Sequence, residues 1–241
     1  MPVPVIIFAR YDSKRLPGKV FAKIDGREML GAVIDRMESI APGLIVVATT
    51  DRKVDDPIVR FCESRGTDFY RGSLENVVKR AVDCAETKGW DRFIRVTGDS
   101  PLMSCSLISE LLDQHGDVEA DLLTTAFPRT WPIGTTVEII KVDALRRVLL
   151  AGVDGADLEH ITRYMYAHDE DFKIVNYASD DPSQATLNIS VDSEEDLERC
   201  RWIYCRLGDD VINAPLDNIV QLARQWNIEM GRPKDGNGKS V

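Results

Sequence analysis

Residues 3–20, VPVIIFARYDSKRLPGKV, decide the fold of this chain. The first seven of them are mainly apolar and rich in β-branched side chains, which is typical of a strand buried in a parallel sheet. The loop that follows carries Arg10, Arg15 and Lys19 around a Pro17-Gly18 turn. Because ligands of α/β sheets bind at the loops that leave the carboxyl ends of strands, this stretch predicts an α/β fold with an anion site at the sheet edge.

The same rhythm continues along the first hundred residues. Further apolar runs at 44–50 and 92–98 predict buried strands, and the segment TDFY at 67–70 is a shorter candidate. Apolar residues repeat at intervals of three and four over 29–37 and 74–82, which predicts amphipathic helices between the strands. Alternating strands and helices indicate right-handed crossovers and a single doubly wound, mostly parallel, Rossmann-like sheet flanked by helices.

The second half has a less regular pattern, but it predicts further elements of the same unit. The expected helices are 106–115, 157–168, 193–207 and 216–226, and the expected strands or extended segments are 121–125, 135–141 and 187–191. We expect one domain over residues 1–230, because no repeat or long linker divides it. The Gly-rich, apolar-poor residues 231–241 are expected to be disordered.

Composition and charge exclude several classes of function. Forty acidic and thirty basic residues give a net charge of −10, which argues against a nucleic-acid-binding surface or an anionic-membrane surface. No apolar run is long enough to span a bilayer, and the N-terminal run is too short and wrongly flanked for a signal peptide. The five cysteines form no C-x-x-C pair, so we expect reduced thiols, no zinc site and a cytoplasmic protein.

The first 23 residues reverse the sign of the charge. They contain five basic residues and one acidic residue, a net charge of +4 that leaves −14 on the remaining 218 residues. A basic loop on an acidic protein predicts a local anion site, and guanidinium and ammonium groups suit a polyphosphate. The loop is neither a Walker A loop nor a G-x-G-x-x-G fingerprint. The alternative is a basic turn that only contacts solvent.

Two aspartates follow short apolar segments elsewhere in the chain. Asp99 comes after the strand that ends at Thr97 and the turn residue Gly98, and Asp192 precedes the helix at 193–207. Two carboxylates that met in space would form a plausible Mg²⁺ pair, because this ion prefers oxygen ligands. The alternatives are ordinary local structure: a turn before Pro101 at the first aspartate and a helix start with acidic residues at the second.

Taken together, these segments resemble the cytidylyltransferases that activate acidic sugars. The nearest type is that of spore coat polysaccharide synthesis, related to the 3-deoxy-manno-octulosonate and acylneuraminate cytidylyltransferases. The resemblance covers about residues 3–205, and its carriers are FARYDSKRLPGKVFAKIDGREML, FYRGSLENVVKRA, RVTGDSPL, RTWPIGTTVEII, LEHITRYMY and ISVDSEEDLE. It implies the nucleotide-diphospho-sugar transferase type of α/β fold.

The resemblance also implies an activity and a set of site residues. A cytidylyl group would pass from CTP to an acidic sugar with release of pyrophosphate, in an enzyme that is commonly a homodimer. The acceptor and subunit contacts would lie at about residues 120–170. Asp99 and Asp192 would hold Mg²⁺, and together with Arg10 and Lys19 they would carry catalysis. The nucleotide contacts would be Ala9, Arg10, Ser13, Arg15, Lys19, Arg71, Thr97 and Gly98.

The chain departs from that family in the segment expected to face the acceptor. Thr135 and Thr136 stand where the family commonly has Leu-Asp, and Ser100 and Ser104 stand where Cys and Asp are frequent. His160, in the matching EHIT segment, is interpreted as an acceptor contact or a structural residue. The acceptor stays open among octulosonates, nonulosonates and non-sugar acids. A glycosyltransferase and a catalytically silent nucleotide-binding module are the alternative functions.

Overall fold

A computed structural model describes residues 2–115 and 117–231, and its centre is a mixed sheet of seven strands. The strands of the sheet run in the order β5-β4-β1-β6-β8-β7-β9, and β2 and β3 form a separate two-stranded ribbon. The strands are β1 (Val5–Phe8), β2 (Lys23–Ile24), β3 (Arg27–Glu28), β4 (Ile45–Thr50), β5 (Asp68–Gly72), β6 (Arg92–Thr97), β7 (Leu122–Thr124), β8 (Glu138–Lys141) and β9 (Ile174–Asn176).

The predicted parallel strands lie side by side. β1 pairs in parallel with β4 on one side and with β6 on the other, and β4 pairs in parallel with β5. β8 runs antiparallel to both β6 and β7, and β9 runs parallel to β7. The chain therefore places β4 and β5 on one side of β1 and then continues with β6 on its other side, which makes β1 the point where the strand order reverses. The carboxyl ends of β1 and β6, at Phe8 and Thr97, flank this switch point, where ligands of such sheets bind.

Helices cover both faces of the sheet. They are α1 (Met29–Glu38), α2 (Asp56–Arg65), α3 (Val77–Thr87), α4 (Cys105–His115), α5 (Val142–Leu150), α6 (Ala156–Glu159), α7 (Arg163–Ala167), α8 (Glu194–Leu207) and α9 (Leu216–Glu229). Side chains alternate along β1, so Val5 and Ile7 pack with α1, α2 and α4 while Ile6 packs with α3 and α5. The mostly parallel α/β sheet expected from the sequence is confirmed.

A further cluster attaches α8 and α9 to the end of the sheet that carries the switch point. Apolar side chains of α8 and α9 pack on Met29 and Ala32 of α1. The Tyr204 hydroxyl donates to the Pro101 carbonyl at 2.7 Å, which ties α8 to the loop after β6. This packing places the residues that precede α8 beside the carboxyl ends of β1 and β6.

Two predicted elements are wrong in extent. The helix expected over 157–168 is two short helices, α6 and α7, because Thr162 turns its hydroxyl onto the buried Glu138 carboxylate at 2.8 Å. The strand expected over 135–141 begins only at Glu138. Residues 187–191 are extended as expected, and a single bridge joins Asn188 to Ile133.

The expected helix at 193–207 is confirmed with its cap, and the last helix continues three residues beyond the predicted end, to Glu229. Of the tail expected to be disordered, residues 232–241 lie outside the described residues. Within 2–115 and 117–231, no helix has the length and apolar character that crossing a bilayer requires.

Candidate active site

A cleft of about 1130 Å³ opens at the carboxyl ends of β1 and β6. One end is lined by the loop after β1, the turn after β6 and Asp192, and the other by residues of β6, β8, α7 and the segment 126–136. We call these the nucleotide half and the acceptor half, after the ligands that the sequence analysis expects there. The predicted site residues that line it are Ala9, Arg10, Ser13, Arg15, Lys19, Thr97, Gly98, Asp99 and Asp192.

The loop after β1 is held in a fixed shape by its own backbone and by Asp55. Gly18 has a φ of +73° and its N–H donates to the Tyr11 carbonyl at 2.8 Å, which closes the Pro-Gly turn. The buried Asp55 carboxylate accepts the Tyr11 N–H at 2.7 Å, and Arg52 clamps the Asp12 carboxylate with both terminal nitrogens. These backbone and side-chain hydrogen bonds therefore hold the loop in place, so it is more than a basic turn that contacts only solvent.

Lys19, Asp99 and Asp192 meet at one point of the nucleotide half. The Lys19 ammonium donates to Asp99 Oδ2 at 2.7 Å, to Asp192 Oδ1 at 2.8 Å and to the Val191 carbonyl at 2.9 Å. Arg15 pairs with the other oxygen of Asp192 at 2.8 Å. The two aspartates, 93 positions apart in the sequence, thus meet at a single ammonium group, which fulfils the spatial condition for a metal pair that the sequence left open.

The extended segment before α8 delivers Asp192 to this point. The Ile133 N–H donates to the Leu187 carbonyl and the Ile133 carbonyl accepts the Ile189 N–H, both at 2.8 Å. The Val191 N–H then donates to the Asp99 carbonyl at 3.0 Å, which sets the two aspartates side by side. Gly98 allows the segments after β1 and β6 to lie close together, because a Cβ there would lie 3.1 Å from the Ala9 Cβ.

Two predicted nucleotide contacts have further neighbours that the sequence did not reveal. Arg10 lies across the cleft from α6, with its guanidinium 4.0 Å from the Glu159 carboxylate. Arg71 is not among the residues that line the cleft. Its guanidinium donates to the Thr50 and Arg52 carbonyls and pairs with Asp56 at 2.8 Å, so in this structure it braces the loop that carries Arg52.

The floor of the acceptor half contains a buried ion pair. Arg95 of β6 pairs with Glu138 on the adjacent antiparallel strand β8, and the Glu138 carboxylate also accepts the hydroxyls of Thr162 at 2.8 Å and Tyr166 at 2.6 Å. Burial acts to lower the pKa of Arg95, but the Glu138 carboxylate outweighs it and raises that pKa. Burial, and then the same carboxylate, raise the pKa of Tyr166. Arg95 and Tyr166 therefore keep their ordinary protonation at neutral pH.

Arg129 gives the acceptor half an excess of positive charge. Its guanidinium donates to the Thr136 hydroxyl at 3.0 Å, and no ion pair to it occurs within residues 2–115 and 117–231. Arg163, by contrast, pairs with Asp157 at 3.4 Å. His160 is exposed at the edge of the cleft. A guanidinium beside a neutral threonine is available to an anionic group of a ligand.

The aspartate pair fits a magnesium ion in its donor chemistry. One ammonium nitrogen contacts an oxygen of each carboxylate, so both oxygens already converge on a single point. Oxygen ligands and space for waters and phosphate oxygens are what Mg²⁺ requires. No group of three or more metal-ligating side chains occurs in the described part of the chain, so the remaining ligands would be phosphate oxygens and water.

The sequence analysis missed the Arg95–Glu138 pair, although a signal was present. Both residues stand inside apolar strands, at RFIRVTG and TTVEII, and a charge in a buried strand requires a partner of opposite sign. Arg95 also alternates with Thr97, so both side chains face the cleft. The pairing itself depends on the register of β6 and β8, which the sequence does not show.

Comparison with known proteins gives matches that span the chain. The model of a family described as cytidylyltransferase matches residues 4–223. The spore coat polysaccharide biosynthesis protein SpsF of Bacillus subtilis (strain 168) is 26% identical over 237 residues, which cover 95% of this chain and 98% of that protein.

Solved structures agree with these sequence matches. A cytidylyltransferase from Leptospira borgpetersenii serovar Hardjo-bovis (strain JB197) is 25% identical with a TM-score of 0.87, covering 100% of this chain and 99% of that one. The CMP:2-keto-3-deoxy-manno-octonic acid synthetase complexed with CTP has a TM-score of 0.64 at 19% identity, covering 86% of this chain and 99% of that one. At that identity the second likeness concerns the fold.

Proposed function

The chain belongs to the cytidylyltransferase family, and from that premise we propose that it couples CTP to an acidic sugar and releases pyrophosphate. One observation carries the proposal. Asp99 and Asp192 converge with Lys19 and Arg15 in one half of a cleft whose other half contains the unpaired guanidinium of Arg129. The first arrangement suits a triphosphate with its cation, and the second suits an acid group.

The reaction is an attack of the acceptor hydroxyl on the α-phosphorus of CTP, in line with the departing pyrophosphate. It needs positioning and neutralisation of charge more than covalent chemistry. Arg10 and Lys19 stabilise the charge that accumulates on pyrophosphate. Asp99 and Asp192 would hold the magnesium ion, which when bound neutralises the phosphates and acidifies the acceptor hydroxyl.

The acceptor is proposed to be an octulosonate or nonulosonate that places its carboxylate against Arg129. The Arg95–Glu138 pair is already neutral, so Arg129 supplies the charge that an acid would complement. SpsF is named for spore coat polysaccharide biosynthesis, and the octonic acid synthetase is named for a sugar acid. The first name supports a precursor of a polysaccharide, and the second supports an acidic sugar.

The first experiment is thermal unfolding of the purified protein with CTP, UTP, ATP and GTP, each with and without Mg²⁺. A ligand at one hundred times its Kd stabilises the folded state by about 2.7 kcal/mol, which raises the Tm by a few degrees. A magnesium-dependent rise with CTP alone supports the proposal. A preference for another nucleotide would move the function to a different transfer, such as glycosyl transfer, and no rise would favour a silent module.

The second experiment measures pyrophosphate release with a panel of octulosonates, nonulosonates and non-sugar acids. Asp99→Asn and Asp192→Asn are each expected to lower kcat by about 100-fold or more. Asp143→Asn, an exposed change on α5 outside the cleft, is the matched control and should leave turnover unchanged. Near-normal turnover of both site variants at saturating substrate would show that the carboxylates have no such role.

A further inference from the structure

The Lys19 ammonium occupies the point between the two carboxylates that were expected to hold a metal. An ammonium has three N–H donors, and here each is directed at a different oxygen: Asp99 Oδ2, Asp192 Oδ1 and the Val191 carbonyl. The Lys19 side chain is only 8% exposed, whereas those of Asp99 and Asp192 are 29% and 26% exposed to the cleft. The pair is thus open to a ligand but already holds a cation.

We propose that the Lys19 ammonium takes the place of the divalent cation in the nucleotide-free protein, so that the metal binds only together with the nucleotide. The inference rests on the proposed function, because it concerns the same carboxylates. In the free protein the ammonium holds the carboxylates of Asp99 and Asp192 side by side. When the triphosphate arrives, the ammonium exchanges its carboxylate partners for phosphate oxygens, and the carboxylates become available to the metal.

Charge balance explains why a free divalent cation would not displace the lysine. Arg15 pairs with Asp192 Oδ2 at 2.8 Å, so both oxygens of this carboxylate are engaged. Lys19 and Arg15 together neutralise Asp99 and Asp192, and a metal ion meets no excess negative charge at this point. A triphosphate adds several negative charges to the same half of the cleft and reverses that balance.

The geometry also allows the exchange. Lys19 opens the 3-10 helix Lys19–Phe21 directly after Gly18, so its backbone position is fixed by the turn. The four-carbon side chain is flexible, and its ammonium can reach a neighbouring acceptor by rotation alone. Other lysines near the cleft lack this arrangement: Lys14 of the same loop is exposed and has no ion pair within the described ranges 2–115 and 117–231.

The test measures binding of Mn²⁺, a paramagnetic ion with the same preference for oxygen ligands, by water-proton relaxation in the absence of nucleotide. We expect weak binding to the unmodified protein. Lys19→Met, which removes the ammonium but keeps most of the side-chain volume, should tighten Mn²⁺ binding by about tenfold or more, since the oxygens are released and a like charge is lost. Lys14→Met, with the same change of net charge in the same loop, should bind as weakly as the unmodified protein.

Two further measurements attribute the effect and keep the test decisive. Adding Asp192→Asn to Lys19→Met should abolish the gained binding, because the site then lacks one carboxylate. Lys19→Gln retains hydrogen-bond donors without the charge and serves if the methionine variant does not fold. If Lys19 has only a structural role, these variants should be less stable and should show no gain in affinity for Mn²⁺.

Equal Mn²⁺ affinity of the nucleotide-free unmodified protein and the Lys19 variants would overturn the inference. Tight binding of Mn²⁺ to the unmodified protein without nucleotide would also overturn it. Failure of the proposed function has a different signature: CTP would then produce no relaxation enhancement of protein-bound Mn²⁺ and no thermal shift in the unmodified protein, whatever the Lys19 variants do.

Discussion

Glu138 shows how a single residue organises the acceptor half of the cleft. Its carboxylate is buried and contacts Arg95 of the neighbouring strand and the hydroxyls of Thr162 and Tyr166. The same contacts interrupt the helix that the sequence predicts over 157–168. A buried charge costs free energy unless it is paired. The helix is therefore interrupted where the Thr162 hydroxyl donates to the Glu138 carboxylate.

Glu138→Gln should therefore destabilise the protein although it changes little volume. The variant leaves the Arg95 guanidinium without its counter-charge, and removal of one partner of a buried pair typically costs about 3–5 kcal/mol of unfolding free energy. The measurement is the urea midpoint at pH 7, with the m-value checked for constancy. Glu119→Gln removes a carboxylate that pairs with Lys141 and whose side chain is 76% exposed, and it should cost at most about 1 kcal/mol. Equal losses in both variants would contradict the assigned importance of the buried pair.

At the scale of elements, the start of α8 determines the position of Asp192. Ser193 accepts the Asp196 N–H through its hydroxyl, and the Asp196 carboxylate returns to the Asp192 and Ser193 N–H groups at 3.1 and 2.9 Å. Arg199 adds an ion pair to Asp196 at 2.8 Å. Burial acts to raise the pKa of Asp196, but the Ser193 hydroxyl and the Arg199 guanidinium outweigh it and hold that pKa below its usual range.

In the variant Asp196→Asn, the unfolding free energy should fall less steeply as the pH is lowered into the acid range. A carboxylate whose pKa is lowered by folding contributes stability above its unfolded pKa of about 4, and the contribution disappears as the pH falls through the lower folded pKa. The difference in unfolding free energy between the unmodified protein and the variant should be largest near pH 7 and should shrink below about pH 4. Ser193→Ala removes the cap hydroxyl and should cost about 1 kcal/mol at pH 7. A difference that grows towards low pH would refute the stated direction.

Gly134 controls how closely the segment before α8 approaches the segment 126–136. Its φ is +100°, and a Cβ at this position would lie 2.5 Å from the Ser190 nitrogen and 2.9 Å from the Ile189 carbonyl carbon. The contact lies between backbone atoms, so neither side can move without shifting the extended segment that ends at Asp192. A glycine here is required by close approach as well as by φ.

Gly134→Ala and Gly152→Ala form a matched pair. Gly152 also has a positive φ, +69°, but nothing lies within 4 Å of its Cβ position. The backbone strain of about 1–2 kcal/mol is expected in both variants, whereas overpacking should cost Gly134→Ala a further ~1–3 kcal/mol. Thermal unfolding measures the difference, and CTP with Mg²⁺ should stabilise Gly152→Ala but stabilise Gly134→Ala less. Equal behaviour of both variants would exclude the close approach as a cause.

For the whole molecule, the antiparallel pairing of β6 with β8 joins the first half of the chain to the second. One apolar cluster extends from β1, α1 and β4 to residues of α4, β7, β8 and α9. Strands from both halves are therefore hydrogen-bonded neighbours above a shared core. The single domain over residues 1–230, the homodimer and the cytoplasmic location stay predictions.

The shared core predicts one cooperative unfolding transition. Calorimetric and van't Hoff enthalpies should agree, and fluorescence and circular dichroism should report the same midpoint, provided that unfolding is reversible. CTP with Mg²⁺ should move the whole transition to higher temperature, since the cleft takes residues from both halves of the chain. Two separate transitions, of which CTP moves only one, would show that the halves fold independently.

Much of the molecule follows from the sequence because the forces involved are local or periodic. Apolar runs and repeats of three and four predict the strands and most helices, the spacing of Ser193 and Asp196 predicts the cap, and the basic loop after β1 predicts where an anion binds. Each of these signals comes from residues that are close together in the sequence, so it can be recognised without knowing where distant segments pack.

Only the tertiary structure decided which distant charges meet. Lys19 contacts Asp99 and Asp192 from 80 and 173 positions away, and Arg95 meets Glu138 only through the register of two antiparallel strands. The helix break before Thr162 and the placement of Arg71 behind the loop follow from such contacts. Electrostatic and hydrogen-bonding partners are selected by the packing of whole elements, and residue spacing along the chain carries no record of that packing.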